Sequence, residues 1–548
     1  MKNINVPVGI SNFEKIRQDG YYYVDKTGLI KDMLKNKIPE VTLITRPRRF
    51  GKTLAMSMLA SFFDIRRDSK KLFQGLNISK EQQLCNDWMN QYPTLFLSFK
   101  DVDGTIFENA LGLLQFTIAE LCKKHTYLIE SDVVDQDDKE TFRKLKSMGS
   151  NLPELQGSII MLMNMMKAYY NKPVILLIDE YDVPIAKASS NGYYKEMLEV
   201  MKAMLSTALK DNEALKFAVV TGCLKIAKES VFTGTNNFVS DTISSERYNE
   251  YYGFTQKDVD QILQDAQIEE KASDIKEWYD GYRFGEFDVY CPWDVMNYLW
   301  DLTNNQNAKP VSYWKNTSDN AIIRSFIDYS GAAIKKKLEI LISGGSIRQQ
   351  IEENLTYDYL HSSEENLWSI LYLTGYLTNA SEQDTDGTIE EIKEIFETTV
   401  KKWFEDNAKT IDRKELFDAV WTGNADILTK EIGTLLRMTI SYHDYKEDFY
   451  HAFLAGIFAG AGYVVESNKE HGEGRSDIVI YDDYEGKVAI FEAKKSQNPE
   501  DMILDCEKAI KQINEKMYAN EFEDAYDEIL CYGISFFKKR CLVKKNRK

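Results

Sequence analysis

The stretch VTLITRPRRFGKTLAMSML, from Val41 to Leu59, predicts the fold of the first part of this chain. It contains an apolar run of strand length, a short basic turn, and a helical segment that opens at Gly51-Lys52-Thr53. A helix N-terminus carries unpaired N–H groups and the positive end of the helix dipole, which both suit an anion. We therefore predict a phosphate-binding loop, in which Lys52 reaches the β- and γ-phosphates of a nucleotide and the Thr53 hydroxyl binds Mg²⁺. The alternative is a basic strand-to-helix turn that binds no ligand.

The loop departs from the common pattern G-x-x-x-x-G-K-[ST] at one position. The first glycine of that pattern would fall at residue 46, where this chain has Arg46. Together with Arg48 and Arg49, this residue makes the loop unusually basic. The predicted nucleotide-binding residues of the loop are Arg46, Pro47, Arg48, Arg49, Phe50, Gly51, Lys52 and Thr53.

Length and composition limit the class of protein. A chain of 548 residues is too long for one core, so we expect two or three domains. The formal net charge of −18 argues against a protein that coats nucleic acid, but it leaves room for a local basic groove. The seven cysteines include no C-x-x-C pair, which is typical of reduced thiols and not of a zinc site. Without an N-terminal signal or an apolar run of about 18 residues, we expect a cytoplasmic protein with no membrane segment.

A second stretch, KPVILLIDEYDVPI at residues 172–185, supplies acids that suit the same site. Val174–Ile178 is a continuous apolar run of strand length, and Asp179 and Glu180 follow it directly. In parallel sheets such residues lie at the carboxyl edge, where ligands bind. We predict that Asp179 holds Mg²⁺ through water and that Glu180 orients or deprotonates the attacking water. The alternative is an ordinary exit from strand to loop.

Further apolar runs extend this pattern. Residues 95–99 and 217–220 are predicted buried strands, and helical segments lie between the strands. Thr221 ends the last of these strands and is a candidate sensor of the γ-phosphate. The alternation of strands and helices predicts a parallel sheet with helices on both faces, in a nucleotide-binding domain over residues 1–254.

From about Thr255 the pattern becomes helical. Thr255 is a predicted N-cap, and Pro292 opens a later helix. We predict an α-helical lid or connector over residues 255–410. Arg247 and Arg283 are candidates for an arginine that touches the γ-phosphate. A structural ion pair is the alternative for each of them.

Residues 411–548 form the last predicted domain. A helix with an apolar face at residues 447–462 precedes three short β-rich runs, a helix at residues 504–522 and a strand at residues 528–537. The predicted order is therefore α-β-β-β-α-β. The strongly basic tail that follows contacts a nucleic-acid backbone or is a frayed, solvated terminus.

Three charged residues of this domain are hard to explain by packing. Asp477 opens one strand, and Glu492 and Lys494 lie two apart on the next, so that both point to the same face. If the hairpin between these strands centres on Tyr484-Glu485, Asp477 falls directly opposite Glu492. The apolar neighbours of Glu492 mark its strand as buried, and buried charges need partners. The alternative is a solvated strand face.

The two carboxylates predict a site for a hard divalent cation, and Mg²⁺ is the cation that we expect there. Lys494 would orient or activate a water and offset charge on a phosphoryl transition state. Gln512, on the following helix, is an auxiliary candidate. Glu470 and Arg475, in the Gly-rich segment upstream, are weaker candidates for supporting the metal or a substrate phosphate.

Several motifs together resemble known families. RPRRFGKT, YVDKT, LIDEYD, WYDGYRFG and YCPWDVMNYL look like the bacterial AAA-ATPase-like family of P-loop ATPases, in which an arginine-rich loop is usual. The GRSDIVI, FEAKK and QI segments resemble the PD-(D/E)XK nuclease superfamily, with Ser476-Asp477 in place of Pro-Asp. By this resemblance Asp477, Glu492 and Lys494 carry the catalytic roles, with Gln512 auxiliary. The resemblance also implies a nucleic-acid substrate, which nothing in the composition indicates.

We therefore expect an α/β protein: a P-loop parallel sheet, a helical lid, and a C-terminal restriction-endonuclease-like domain. It would use ATP and Mg²⁺, and hydrolysis at the first site would gate or drive access of DNA, or of RNA, to the second. One alternative is an ATP-dependent switch whose nuclease-fold domain binds nucleic acid or protein without cutting. Another is a degenerate nucleotide site that acts as a scaffold. The sequence is compatible with a homo-oligomer and gives no cleavage specificity.

Overall fold

The chain divides into two compact units. One consists of residues 1–318 and 348–392, and the other consists of residues 319–347 and 393–548. The structure, a computed structural model, describes residues 4–35, 38–225, 238–313, 337, 341, 346–353, 364–378, 414–439, 450, 453–455, 457–458, 464–471, 474–482, 485–523, 525–538 and 540–546.

Helices make up much of the first unit. Its described helices are α1 (Phe13–Gln18), α2 (Gly28–Lys35), α3 (Lys52–Phe63), α4 (Lys70–Phe73), α5 (Gln82–Trp88), α6 (Phe107–Lys124), α7 (Gln136–Lys146), α8 (Leu152–Gln156), α9 (Ser158–Tyr170), α10 (Val183–Asn191), α11 (Tyr194–Leu209), α12 (Gln256–Ala266), α13 (Ala272–Tyr279), α14 (Pro292–Asn304) and α15 (Glu364–Leu373). Those of the second unit are α16 (Lys414–Thr422), α17 (Ala425–Thr439) and α18 (Met502–Glu515). Short 3₁₀ helices lie at Asn77–Lys80, Thr126–Glu130, Asn249–Tyr251, Glu269–Lys271, Pro499–Asp501 and Asn520–Phe522. Among the described residues, no helix has the length and apolar character needed to cross a membrane.

The strands form three sheets. In the first unit they are β1 (Val41–Thr45), β2 (Thr94–Ser98), β3 (Val174–Asp179), β4 (Leu215–Gly222), β5 (Phe238–Asp241), β6 (Phe254–Thr255), β7 (Tyr282–Phe284) and β8 (Phe287–Tyr290). In the second unit they are β9 (Val464–His471), β10 (Gly474–Asp482), β11 (Lys487–Lys495), β12 (Glu528–Phe537) and β13 (Arg540–Lys545).

The main sheet of the first unit is parallel, as predicted. Its order is β2-β3-β4-β1-β5, and each neighbouring pair runs in the same direction. Every residue of β1 and β3 is buried, which explains their continuous apolar sequence. The edge strand β5 was not predicted, because its four residues are largely half-buried and give no clear pattern.

Helix α3 fixes the position of the loop that precedes it. This helix is apolar around most of its circumference, and nine of its twelve residues are buried. Phe63, at its end, packs against Phe217 of β4, with ring centroids 5.5 Å apart. A helix that is apolar on most sides belongs inside a core, so α3 is held against the sheet and its first residue lies beside the carboxyl end of β1.

The residues after Thr255 are not all helical. Helix α12 begins at the predicted cap, where the Thr255 side chain accepts a hydrogen bond from Asp258 N. However, β6, β8 and β7 form an antiparallel sheet that the helical prediction missed. In β7, Arg283 alternates with two buried aromatic residues, and three residues are too few to distinguish a strand from a helix. Most of the later predicted lid, residues 314–345, 354–363 and 379–410, lies outside the described residues apart from 337 and 341.

The second unit is a mixed sheet with the order β13-β12-β11-β10-β9. Strands β9 to β11 are antiparallel, α18 follows β11, and β12 returns parallel to β11. The predicted run of three strands, a helix and a strand is therefore confirmed. Most of the predicted helix at residues 447–462 lies outside the described residues.

The basic tail forms part of this sheet. Residues 540–545 are strand β13, which pairs antiparallel with β12. Cys541 and Val543 are buried in the same apolar core as Ile534 of β12. The prediction of a frayed terminus is therefore wrong for these residues, because alternate apolar side chains between the basic ones anchor the strand.

Replacing Val543 by Asp should destabilise the second unit by about 3 kcal/mol, because an unpaired carboxylate would enter an apolar core. The matched control is Arg540→Asp, at an exposed position of the same strand, which should change the free energy of unfolding by less than about 0.5 kcal/mol. Urea denaturation followed by tryptophan fluorescence measures both. Equal effects of the two substitutions would contradict a packed β13.

Candidate functional sites

The predicted phosphate loop joins the carboxyl end of β1 to the first turn of α3. Two of its residues have left-handed backbone conformations, Arg49 with φ of 73° and Gly51 with φ of 82°. Glycine adopts such a conformation without steric cost, so Gly51 makes the reversal into α3 possible. Strand β1 lies between β4 and β5, and the loop therefore opens at the carboxyl edge of the sheet.

The Lys52 side chain lies within the loop and is buried. Its Nζ donates to the carbonyl oxygens of Arg46 and Pro47, at 2.9 and 2.8 Å. The Cys223 Sγ lies 3.7 Å from the same Nζ. The ammonium thus directs its donors into the loop, where the phosphates of a nucleotide would compete with two carbonyl groups for them.

Two arginines of the loop are exposed. Arg48 and Arg49 both face solvent, and the Arg49 guanidinium carbon lies 4.1 Å from the ring centroid of Trp293. Such a cation–π contact is favourable and restricts the guanidinium. Trp293 belongs to the first turn of α14, so this helix supports one of the charges of the loop.

Apolar contacts support the loop as well. Phe50 is buried against the rings of Tyr282 and Phe284 in β7, with centroids 4.8 and 5.0 Å apart. Pro47 is buried, and a Cβ placed on Gly375 would lie only 2.8 Å from the Pro47 Cβ. Gly375 also has a φ of 89°. A glycine is therefore required where the segment after α15 meets the loop.

The Arg46 side chain is placed differently from the other two arginines. It is fully buried and forms an ion pair with Asp241 at 2.5 Å. It also donates to the carbonyl oxygens of Thr45, Asp241 and Arg247 and to Asn249 Oδ1. The geometry therefore does not favour the predicted contact of this guanidinium with a nucleotide, although Lys52 bonds to the carbonyl of the same residue.

Asp179 and Thr221 lie side by side at the ends of β3 and β4. The Thr221 Oγ1 donates to Asp179 Oδ1 at 2.5 Å, and both residues are fully buried. The other oxygen of Asp179, Oδ2, is buried and has no hydrogen-bond partner among the described residues. Thr53, on the first turn of α3, is partly exposed. A carboxylate oxygen without a partner and a hydroxyl near the loop fit the oxygen ligands that Mg²⁺ prefers.

Glu180 has a left-handed backbone, with φ of 53°, which is uncommon for a residue with a side chain. Burial raises the pKa of its carboxyl group, and the neighbouring Asp179 raises it further, whereas Lys52 and Arg48 oppose the shift. Glu180 therefore lies near Lys52 and Arg48, two of the four basic residues of the loop. The adjacent Asp182 has a structural position, because its Oδ2 accepts from two backbone N–H groups after β4, at 2.9 and 3.0 Å.

The two candidate arginines outside the loop both have acidic neighbours. Arg247 Nε lies 3.7 Å from Asp241 Oδ2, and Arg283 Nη1 lies 3.6 Å from Asp288 Oδ1. These contacts match the structural alternative considered for each residue. A role at the γ-phosphate stays a prediction.

The second site lies where β10 meets β11. The ladder between these strands pairs Ile478 with Phe491, so the next residues along the two strands are Asp477 and Glu492. The Asp477 carboxylate accepts a hydrogen bond from Ala493 N at 2.6 Å. The register is the one that a hairpin centred on residues 484–485 predicts, and it brings the two acids together.

Glu492 is the most unusual group of this site. It is fully buried, and its Oε1 accepts from Lys494 Nζ at 2.9 Å. Its Oε2 is buried and has no hydrogen-bond partner in the described part of the chain. Burial, and then the charge of Asp477, raise the pKa of Glu492 to about 7, although Lys494 acts in the opposite direction.

This arrangement fits a divalent cation held by few protein ligands. The described residues contain no group of three or more His, Cys, Asp or Glu that could hold a metal ion. Mg²⁺ commonly needs only one or two carboxylates, since waters and substrate phosphates complete its coordination. Asp477 and Glu492 Oε2, which has no hydrogen-bond partner among the described residues, meet that requirement.

Tyr518 is a residue of this site that the sequence analysis missed. Gln512, on α18, donates from Nε2 to the Tyr518 hydroxyl at 3.4 Å. Tyr518 is buried, and burial raises its pKa, with further contributions from the charges of Glu492 and Asp477. The predicted helix ran through residue 522, whereas α18 ends at Glu515. The sequence signal that could have identified Tyr518 is an aromatic residue shortly after the end of α18.

The backbones of the two weaker candidates pair with each other on β9 and β10. Arg475 pairs with Glu470 in the antiparallel ladder, one step from the pair of Ser476 and Lys469. They are therefore cross-strand neighbours, and Arg475 lies on β10 just before Asp477. Their roles stay predictions.

Comparison with known proteins finds a family model for part of each unit. A family model described as a predicted AAA-ATPase, AAA-ATPase-like, matches residues 7–232. A model of the PD-(D/E)XK nuclease superfamily matches residues 445–546. A protein of Azotobacter chroococcum mcd 1, named as an uncharacterized protein in the vnfD 5′ region, is 24% identical over 559 residues. That alignment covers 98% of this chain and 97% of the relative. No solved structure matches.

In metal-free protein, the second unit should lose stability as the pH rises toward neutral. The pKa of Glu492 is raised from 4.5 to about 7 by folding, so the folded chain binds this proton more tightly than the unfolded chain does. Stability is therefore lost between those two pH values, by up to about 1.4 kcal/mol per pH unit. Glu492→Gln stays neutral and should lack this contribution.

Urea denaturation in EDTA, repeated across this pH range, gives the difference in unfolding free energy between wild type and Glu492→Gln. The variant should become relatively more stable as the pH rises. A difference that does not change with pH would contradict the raised pKa. Mg²⁺ should stabilise wild type more than the variant, because the cation uses the carboxylate that Gln lacks.

Proposed function

We propose that this chain, which joins an AAA-ATPase-like domain to a PD-(D/E)XK nuclease superfamily domain, hydrolyses ATP at its phosphate loop and cuts nucleic acid at its second site. The observation that carries the proposal is Glu492, which is fully buried beside Asp477 and Lys494 with one oxygen that has no hydrogen-bond partner among the described residues. Packing alone does not account for such a group, because an unpaired buried carboxylate oxygen costs free energy.

At the phosphate loop, Lys52 would exchange its two carbonyl partners for the β- and γ-phosphates of ATP. Arg48 and Arg49, which are exposed, would add positive charge around them. Thr53 and Asp179 would hold Mg²⁺, which neutralises charge on the phosphates. Their position at the carboxyl edge of a parallel sheet supports this assignment.

Glu180 would orient the attacking water and take its proton. A pKa raised by burial brings a carboxylate closer to the range in which a general base works well at neutral pH. The Thr221 hydroxyl donates to Asp179 and would hold the Asp179 carboxylate in place. Thr221 would also respond to the γ-phosphate. Both assignments rest on the meeting of β3 and β4 at one sheet edge.

At the second site, Asp477 and Glu492 would hold Mg²⁺, which lowers the pKa of a bound water and offsets charge on the phosphate. Water would lose a proton to solvent as it attacks phosphorus, and the ester P–O bond would break as the leaving oxygen takes a proton from solvent. Lys494 is partly exposed and forms an ion pair with Glu492. It would stabilise the charge that develops on the phosphoryl oxygens. Gln512 would be held in position by Tyr518. DNA is the substrate that we propose first, with RNA as the second.

ATP hydrolysis would gate cleavage through the segment after α15. Gly375 packs on Pro47 of the phosphate loop, and Thr378 Oγ1 accepts a hydrogen bond from Arg283 N of β7. From this segment the chain continues, after residue 392, into the second unit. A change in the shape of the loop would therefore act on this segment, and we propose that it passes from there to the second unit.

In the presence of Mg²⁺, the full chain should cut plasmid or single-stranded DNA. Asp477→Asn should slow cleavage at least about 100-fold, because even outer-shell partners of metal ligands are worth 10- to 100-fold. Asp482→Asn, further along the same strand, is the matched control and should cut at the wild-type rate. Gel electrophoresis of the products against time measures all three.

The same assay with ATP and Lys52→Ala tests gating. If wild type responds to ATP and Lys52→Ala does not, the two sites are coupled. If the variant cuts like wild type with or without ATP, the gating proposal fails. If wild type hydrolyses ATP but cuts neither DNA nor RNA, the chain is an ATP-dependent switch, and the nuclease proposal is overturned.

Glu180→Gln should keep the affinity for ATP within about twofold and lower the ATPase kcat about 100- to 1,000-fold, since it removes the base but not the phosphate contacts. Lys52→Ala should instead lose affinity, because Lys52 contacts the phosphates in the ground state. A fluorescent ATP analogue gives the affinity, and phosphate release gives kcat. A Glu180→Gln protein with wild-type kcat would remove Glu180 from the mechanism.

A further inference from the structure

Position 46 of the phosphate loop has a side chain that takes no part in the proposed reaction. Arg46 has no exposed surface. Its Nη2 lies 2.5 Å from Asp241 Oδ1 at the end of β5, and its Nη1 donates to the Thr45 and Asp241 carbonyls, at 2.8 and 3.0 Å. The guanidinium therefore connects the ends of two neighbouring strands of the sheet.

The residues that follow β5 complete the surroundings of this guanidinium. Asn249 Oδ1 accepts from Nη2 at 2.7 Å. The ring centroids of Tyr252 and Phe284 lie 5.2 and 5.7 Å from the guanidinium carbon. We use the name arginine cage for Arg46, Asp241, Asn249, Tyr252 and Phe284. The cage residues come from four places along the chain: the loop, β5, the 3₁₀ helix at Asn249–Tyr251 with the residue after it, and β7.

Stability alone does not explain a buried ion pair at this position. Removing two charges from water costs about as much free energy as their attraction returns, and an apolar pair of similar volume often serves as well. A guanidinium differs from an apolar group in its fixed fork of donors, which demands a particular geometry from each partner. The cage therefore restricts the position of residue 46 more than it adds to the stability of the unit.

The position of residue 46 matters because its backbone is part of the loop. The Arg46 carbonyl accepts from Lys52 Nζ at 2.9 Å, and its N–H donates to the Gly222 carbonyl at the end of β4. Phe50, four residues later, packs on the same Phe284 ring that faces the guanidinium. The cage thus fixes the beginning of the loop through Arg46 and contacts Phe50, near the end of the loop, through Phe284.

We propose that Arg46 is a positioning residue of the ATP site, which acts with Asp241 and Asn249 to fix the loop in the shape that presents Lys52 to the phosphates. This inference rests on the proposed ATPase function. It assigns a role in nucleotide binding to two residues that lie 195 and 203 positions downstream of Arg46. A direct contact between Arg46 and a phosphate is the competing explanation, and it gives Asp241 no role.

Asp241→Asn separates the two explanations, because Asp241 belongs to the cage but not to the loop. The matched control is Asp64→Asn, which removes the acid of another ion pair in the same unit, with Arg66 at 2.9 Å. Titration with a fluorescent ATP analogue gives the Kd of each full-length protein. Asp241→Asn should raise the Kd about tenfold or more, since a displacement near 1 Å at a site can cost as much as 100-fold. Asp64→Asn should leave it within about twofold.

A double variant tests whether a raised Kd results from unfolding and not from the loss of the cage. Arg46→Met with Asp241→Leu replaces the ion pair by apolar groups, which often preserves or raises stability. The acceptors of Arg46 lose their donor, but no buried charge is left alone, so the variant should be folded at the temperature of the titration, by circular dichroism, and still show the raised Kd. Arg46→Lys, which keeps the charge but not the fork, should not restore the wild-type Kd.

The outcomes are distinct. If Asp241→Asn binds ATP like wild type, the cage does not position the loop and the inference is overturned. If wild type itself binds no ATP, the proposed ATPase function fails. Hydrogen exchange at the backbone amides of residues 48–52 still tests the cage in that case. Faster exchange in Asp241→Asn than in Asp64→Asn supports the cage, and equal exchange overturns it.

Discussion

Both candidate sites depend on one constraint, which is that a carboxylate buried among apolar strands needs partners. Asp179 ends a strand in which every residue is buried, and the Thr221 hydroxyl satisfies only one of its oxygens. Glu492 lies in the buried middle of its strand, and Lys494 satisfies only one of its oxygens. In the part of the chain that the structure describes, the second oxygen of each has no hydrogen-bond partner. Each such oxygen costs about 1–3 kcal/mol, so a shared explanation is needed, and the divalent cation that we propose for each site would supply it.

The two units bring their acids together by different topologies. In the first unit, parallel strands end at one edge, so that the ends of β1, β3 and β4 meet without any special register. In the second unit, Asp477 and Glu492 meet only because the β10–β11 hairpin has one particular register. A shift by one residue would turn Glu492 to the opposite face of the sheet. The second site is therefore more sensitive than the first to the length of one turn.

This difference also explains how much of each site could be predicted from the sequence. The parallel sheet followed from buried apolar runs, and the pairing of Asp477 with Glu492 followed from a hairpin centre, because both rest on local periodicity. The position of Arg46 could not be predicted in this way. An arginine in a basic loop suggests a phosphate ligand, and nothing nearby in the sequence shows that Asp241 lies beside it. Tyr518 was missed for a related reason, since its position depends on where α18 ends.

The contacts behind the loop bear on how it would bind a nucleotide. A glycine-rich loop must lose conformational freedom when it closes on phosphates, and this loss weakens binding. Here the loop is already restricted by Arg46 in the cage, by Phe50 on the rings of β7, and by Arg49 on Trp293. A loop fixed in this way loses less entropy on binding, provided that its fixed shape is the binding shape. The arginine at position 46 is thus compatible with a working phosphate loop, because it replaces the flexibility of glycine with an anchor that lies outside the binding face.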